Sequence, residues 1–87
     1  MKMIIAILRD EDVDVIVQAL TAEDFRVTRV ASTGGFFRKG STTLLLGVES
    51  DRVDAGIEVI RKNLPPNPTS EKRVTVFVVP IDRFEQI

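Results

Sequence analysis

The sequence contains no cysteine and no histidine among its 87 residues. Without cysteine the chain has neither a disulfide framework nor a thiolate metal site to add to the small core that a chain of this size builds. Without histidine it lacks the usual general base and the commonest metal ligand, which argues against most classes of enzyme. Oligomerisation is the remaining common source of buried surface, so we expect an oligomer.

An excess of positive charge and long apolar runs are also missing. Lysine and arginine number 12 against 13 aspartate and glutamate residues. The chain therefore lacks the positive charge of proteins that bind long nucleic acids, although a small anionic ligand is compatible with it. No apolar run reaches the roughly 20 residues of a membrane span, and Met1 leads into a predicted strand and not into a signal peptide. We expect one cytoplasmic domain over residues 1–87, with no membrane partner.

Hydrophobic periodicity predicts two helices and four strands in the order βαββαβ. The predicted strands cover residues 3–8, 25–32, 42–48 and 73–79, and a tail begins at Pro80. The first predicted helix covers residues 11 to about 23, and the second ends before Pro65. This order predicts an α+β, ferredoxin-like sandwich in which two helices cover one face of a four-stranded antiparallel sheet.

Individual residues within these elements carry their own expectations. Asp10 is expected to cap the first helix, and Ser50 or Asp51 the second. Gly56, inside the second helix, is either a concession to close packing or a mild defect of the helix. Gly47, inside the third strand, indicates a bulge or a close approach of another part of the chain.

The loop at residues 31–43 combines backbone freedom, hydroxyl groups, aromatic rings and two cations. Gly34 and Gly35 free the backbone amides, which together with the cations suit a phosphate group. Phe36 and Phe37 offer rings on which a base can stack. This composition predicts a nucleotide site. The alternative is a flexible hairpin whose phenylalanines pack on a neighbouring subunit.

The stretch from Asp24 to Thr43 closely resembles the cyclic-di-AMP receptors of the PII-like family, which share the pattern N/D-F-R-x-T-x-x-x-T-G-G-F. Residues 1–8, 47–54 and 76–86 resemble that family as well. The resemblance implies a ferredoxin-like homotrimer that binds one cyclic-di-AMP in each cleft between adjacent subunits. It also implies a signal receptor without catalysis, which acts on an unidentified downstream protein.

The resemblance places nine residues around the ligand: Arg26, Thr28, Gly34, Gly35, Phe36, Phe37, Ser41, Gly47 and Gln86. Arg26 and Thr28 would reach phosphate or ribose oxygens. Loop amides and Phe36 would recognise adenine and pack on it. The resemblance implies no catalytic residue, no metal-binding residue and no cofactor, with cyclic-di-AMP as the ligand.

Two departures from the family leave alternatives open. Ser41 stands where the family typically has asparagine, and losing that amide would cost about 1 to 3 kcal/mol of adenine recognition. The long glycine-rich insertion before the last strand is reduced to residues 65–72. One alternative is a degenerate PII-like module that binds another adenine nucleotide or no ligand. Another is a metal-dependent phosphodiesterase or nuclease that uses Asp10, within an acidic run at residues 10–14 that also suits a helix N-terminus.

Overall fold

The computed structural model describes residues 1–31, 40–65 and 73–87. Within these ranges the elements follow the predicted βαββαβ order. The strands are β1 (Lys2–Arg9), β2 (Thr28–Ala31), β3 (Ser41–Val48) and β4 (Val74–Pro80). The helices are α1 (Asp10–Ala22) and α2 (Val53–Asn63), and a 3-10 turn (Ser50–Arg52) precedes α2. None of the helices in these ranges is long and apolar enough to cross a membrane.

The four strands form one antiparallel sheet in the order β2-β3-β1-β4. The continuous apolar run of β1 takes a central position, where both of its edges are paired. Pro80, predicted to begin the tail, is instead the last residue of β4 and lies opposite Lys2. Proline is tolerated there because β4 is an edge strand. This strand order confirms the predicted ferredoxin-like fold.

Both helices pack on one face of the sheet. Ile4, Ala6 and Leu8 of β1 are buried in the core together with side chains from β3, α1 and α2. The alternate residues of β1, including Ile5 and Ile7, point to the opposite face and are only partly buried. The described elements therefore leave this second face of the sheet, called here the open face, without a covering layer.

The predicted cap of α1 is wrong. Asp10 is the first residue of the helix, and the N-cap is Arg9, which makes no side-chain capping bond. The Asp10 carboxylate instead accepts a hydrogen bond from the Thr42 hydroxyl. Its backbone N–H donates to the Gly40 carbonyl at 2.8 Å. Asp10 thus ties the start of α1 to the start of β3.

The predicted cap of α2 is also wrong. Ser50 and Asp51 lie in the 3-10 turn, and the N-cap of α2 is Arg52, with no side-chain capping bond. The 3-10 turn continues directly into α2, so neither the Ser50 nor the Asp51 side chain takes the capping position. The apolar face of α2 packs on the core, since Ile60 is buried and Ile57 is partly buried against it.

The β2 strand begins three residues later than predicted because the chain leaves α1 through a left-handed residue. Asp24 has φ 66°, and its N–H donates to the Thr21 carbonyl at 3.1 Å. The Phe25 N–H donates to the Leu20 carbonyl at 3.0 Å, which completes a Schellman motif. Phe25, only 5% exposed, packs into the core and not into the ladder of strands.

Replacing Asp24 with glycine is expected to raise the free energy of unfolding by about 0.5 to 1 kcal/mol. A left-handed φ strains any residue with a Cβ, and the gain is smaller than that strain because glycine also makes the unfolded chain more flexible. Urea denaturation measures the change. Glu23→Gly is the matched control, because Glu23 has φ −98° and gains nothing from glycine. A less stable Asp24→Gly protein would contradict the expectation.

The two glycines singled out by the sequence behave differently. Gly47 forms no bulge, since it pairs with Met3 in an uninterrupted register. A Cβ at Gly47 would lie 3.5 Å from the Met1 Cε, an ordinary contact. A Cβ at Gly56 would lie 3.1 Å from the Ile4 Cδ1 and 3.4 Å from the Phe25 Cε1. Of the two interpretations of Gly56, the structure therefore favours close packing over a defect. Of the two interpretations of Gly47, a bulge or a close approach, the bulge is absent.

Replacing Gly56 with valine is expected to lower the free energy of unfolding by about 1 to 3 kcal/mol, the usual effect of overpacking a filled core. The branched side chain would enter space held by Ile4 and Phe25, both of which are buried. Ala55→Val is the control, because Ala55 is exposed on the same helix and adds only the small helix-propensity cost of valine. Equal losses in the two variants, measured by urea denaturation, would contradict this account.

Candidate functional site

A cavity of about 220 Å³ opens at the end of the sheet where β2 begins and β3 ends. Its walls are residues 24–26 and 47–49, together with Met1 and Arg52. Two of the predicted site residues, Arg26 and Gly47, therefore lie in the same cavity. They come together because residue 26 precedes β2 and residue 47 is close to the end of its antiparallel neighbour, β3.

Arg26 is exposed and makes no ion pair or hydrogen bond with any described residue. Arg29, three positions later, instead donates to the Asp14 carboxylate at 2.9 Å. The difference follows from their places in the chain, since Arg29 reaches back to α1 while Arg26 lies beside the cavity. As far as residues 1–31, 40–65 and 73–87 are concerned, the Arg26 guanidinium thus keeps its donors available for an anionic ligand.

Thr28 and Ser41 lie outside the cavity walls. Thr28 is exposed at the start of β2, opposite Leu45. Ser41 is the first residue of β3, opposite Arg9, at the far end of the strand from Gly47. The six steps between Ser41 and Gly47 span about 20 Å along a strand. One chain therefore does not bring Ser41 and Gly47 to the same point.

Gln86 lies in the exposed tail that follows β4. The tail starts beside the cavity, because the Ile81 N–H donates to the Met1 carbonyl at 3.0 Å. Gln86 is not part of the cavity walls. The remaining predicted residues, Gly34, Gly35, Phe36 and Phe37, lie outside the described ranges.

Arg52 was not singled out from the sequence, although the cavity includes it. Its guanidinium carbon lies 4.2 Å from the centre of the Phe25 ring, a cation–π contact. Its Nη2 donates to the Glu23 carbonyl oxygen at 3.1 Å. These contacts join residues 27 and 29 positions apart, which helix and strand periodicity does not reveal. The only sequence signal was the family resemblance of residues 47–54.

The cavity carries charges of both signs. Arg26 and Arg52 supply hydrogen-bond donors, while the carboxylates of Asp24 and Glu49 supply acceptors. A nucleotide offers the complementary groups, because its phosphates accept hydrogen bonds and its ribose hydroxyls and adenine amino group donate them. This lining suits a nucleotide better than it suits a simple anion.

The acidic run at the start of α1 is engaged with protein partners. Asp10 accepts the Thr42 hydroxyl, and Asp12, which is buried, accepts from Arg73 at 3.1 Å. Across residues 1–31, 40–65 and 73–87, no group of three acidic side chains is arranged to hold a metal ion.

A second cavity of about 320 Å³ lies between α2 and β4. Its lining is mainly apolar and includes Ile57, Ile60 and Val76. None of the predicted site residues borders it. The cavity beside Arg26 is therefore the better candidate for a nucleotide.

Comparison with known proteins points to the same chemistry. The family model described as "Cyclic-di-AMP receptor" matches residues 1–74. The chain is also similar to a crystal structure of a functionally unknown protein from Pediococcus pentosaceus ATCC 25745, with 33% sequence identity and a TM-score of 0.77. That match covers 99% of this chain and 96% of the other chain.

Proposed function

This chain belongs to the cyclic-di-AMP receptor family, and from that premise we propose that it is a cytoplasmic signal receptor that binds cyclic-di-AMP between the subunits of a homotrimer. Membership in a receptor family implies binding without catalysis. The observation that carries the proposal is the cavity beside β2, where Arg26 has no protein partner among the described residues. The whole chain is proposed to act as one domain, since its described strands share one sheet.

In this proposal Arg26 donates to a phosphate of the ligand, and Thr28 donates to a phosphate or ribose oxygen. Gly47 lets the ligand approach the backbone of β3, because it adds no side chain to the cavity wall. The exposed Arg26 and Thr28 are both accessible for such contacts. The loop residues Gly34 to Phe37 are proposed to recognise and stack on adenine.

Two observations favour a site shared between subunits. The cavity in one chain measures about 220 Å³, whereas small-molecule sites usually measure roughly 300 to 1,000 Å³. Ser41 lies about 20 Å along β3 from Gly47, too far for both to touch the same compact ligand from one chain. We therefore assign Arg26 and Gly47 to one subunit at each site, and Phe36 and Ser41 to its neighbour. Gln86 is proposed to reach the ligand from the exposed tail.

The open face of the sheet supports oligomerisation. Ile5 of β1 lies between Leu45 of β3 and Phe77 of β4, which forms an apolar row on this face. Phe77 is 52% exposed. Exposed apolar rows of this kind mark interaction surfaces, and a trimer would bury them.

Signalling is proposed to pass through the glycine-rich loop. Ligand contacts at Phe36 and Ser41 would favour one loop conformation over others, and a downstream protein would then distinguish the bound receptor from the free one. Ser41 also favours one alternative within the same class. A hydroxyl recognises adenine less specifically than an amide does, so a module with another adenine nucleotide as its ligand is the second candidate.

Calorimetric titration with cyclic-di-AMP, cyclic-di-GMP and ATP tests the proposal, with light scattering on the same sample to give the mass. We expect a trimer that binds cyclic-di-AMP at about one molecule per subunit and binds the other two nucleotides far more weakly. Tighter binding of ATP would favour the second candidate. No heat and no thermal shift with any of the three nucleotides would contradict cyclic-di-AMP as the ligand and would also remove ATP as the ligand of the second candidate.

A further inference from the structure

Arg52 is a second arginine in the wall of the candidate cavity, on the turn that leads into α2. It is partly buried, in contrast to the exposed Arg26. We propose that Arg52 contacts the ligand directly and supplies the second cation of the site, for a phosphodiester group. This inference rests on the proposed function and adds a residue to its binding site.

The guanidinium of Arg52 is held in place without being neutralised. Phe25, buried in the core, supports it from one side at 4.2 Å. The Glu23 carbonyl accepts from its Nη2 at 3.1 Å. A carbonyl oxygen carries no net charge, and Arg52 forms no ion pair with any described residue. Within the described part of the chain, the positive charge and most of the five N–H donors therefore stay available.

Such an arrangement suits the recognition of a phosphate. An arginine whose side chain is already fixed loses less conformational entropy on binding than a freely moving one. Its planar fork can donate two parallel hydrogen bonds to a phosphate. Partial burial also weakens the screening of its charge by salt relative to that of an exposed cation.

The ligand charge matches a pair of arginines. A cyclic dinucleotide has two phosphodiester groups and therefore two negative charges. Arg26 and Arg52 reach the cavity from separate segments, one before β2 and one before α2. Asp24 and Glu49 also line the cavity, but no ion pair within the described ranges joins them to either arginine. Both cations are thus available to the same ligand.

The test compares three substitutions of Arg52 by calorimetric titration of the full chain with cyclic-di-AMP. Arg52→Ala removes the charge and the contacts with Phe25 and Glu23. Arg52→Gln removes the charge but keeps an N–H donor for the Glu23 carbonyl, and Arg52→Lys keeps the charge without the fork. Arg61→Ala is the matched control, because it also removes one arginine charge, from an exposed ion pair with Glu58 outside the cavity.

A direct contact predicts that Arg52→Ala and Arg52→Gln both bind about 10- to 100-fold more weakly, as expected for a lost charge-assisted hydrogen bond. Arg52→Lys should fall between these variants and the unaltered protein. The affinity of the two uncharged variants should also depend less on salt. Arg61→Ala should bind normally.

Two results would overturn the inference while leaving the proposed function intact. One is Arg52→Gln binding with the affinity and salt dependence of the unaltered protein, which would make Arg52 only a support for Phe25. The other is an equal loss in Arg61→Ala, which would indicate a general charge effect. Absence of binding by the unaltered chain would instead overturn the proposed function itself, and this inference with it.

Discussion

Replacing Arg73 with methionine is expected to lower the free energy of unfolding by about 3 to 5 kcal/mol. The Arg73 Nη2 donates to both carboxylate oxygens of Asp12, at 3.1 and 3.2 Å, and its Nε donates at 3.3 Å. The Asp12 side chain is only 2% exposed and that of Arg73 15%. Without Arg73, the Asp12 carboxylate would stay buried without its counter-charge, which costs far more than losing an exposed ion pair.

Urea denaturation at one fixed protein concentration measures this loss, since an oligomer's apparent stability depends on concentration. Arg61→Met is the control, because its ion pair with Glu58 is exposed and such pairs contribute at most about 1 kcal/mol. The double variant Asp12→Leu with Arg73→Met should recover much of the loss, since it removes both buried charges. A loss in Arg73→Met no larger than that in Arg61→Met would contradict the account.

Replacing Arg26 with alanine is expected to weaken cyclic-di-AMP binding by about 10- to 100-fold, because it removes a charge-assisted hydrogen bond to a phosphate. Arg26 is exposed and has no partner among the described residues, so its removal should leave stability nearly unchanged. The effect should therefore appear in affinity alone. Calorimetric titration measures the affinity, and thermal unfolding measures the stability.

Arg29→Ala is the matched control for Arg26→Ala. Arg29 lies three residues further along the same segment and pairs with Asp14 at 2.9 Å. The Arg29→Ala variant should therefore lose little affinity, although it removes the same charge as Arg26→Ala does. Equal affinities of Arg26→Ala and the unaltered protein would remove Arg26 from the site. Equal losses of affinity in Arg26→Ala and Arg29→Ala would indicate that Arg26 acts only by long-range electrostatic attraction.

Local patterns in the sequence predicted most of the fold. The apolar run at the start of the chain forms β1, and the apolar stripe that follows forms the buried side of α1. A run apolar on both faces suggested burial of both, but β1 is fully buried on one face only, and Ile5 and Ile7 lie on the open face. The errors fall where contacts are distant in sequence. Asp10 was predicted to cap α1 because its neighbours suit a helix start, but its hydrogen-bond partner Thr42 comes from another strand.

The site was less accessible to sequence reasoning than the fold was. Arg26 and Gly47 were identified through the family resemblance, and the pairing of β2 with β3 explains why they share a cavity. Arg52 was missed because its contacts with Phe25 and Glu23 are visible only after α1 and the 3-10 turn have packed together. The predicted strand at residues 42–48 did place Ser41 and Gly47 near opposite ends of β3.

The most direct test of the proposed site, a cyclic-di-AMP site shared between subunits of a trimer, is a titration of mixed oligomers. Arg26→Ala alters one half of each proposed site, and Phe36→Ala alters the half supplied by the neighbouring subunit. Each variant alone should bind weakly. When the two variants are coexpressed in equal amounts, one subunit in two carries an intact Arg26 and one in two carries an intact Phe36. Random assembly should therefore restore about one quarter of the tight sites. Weak binding throughout the mixture would contradict a site divided between subunits in this way.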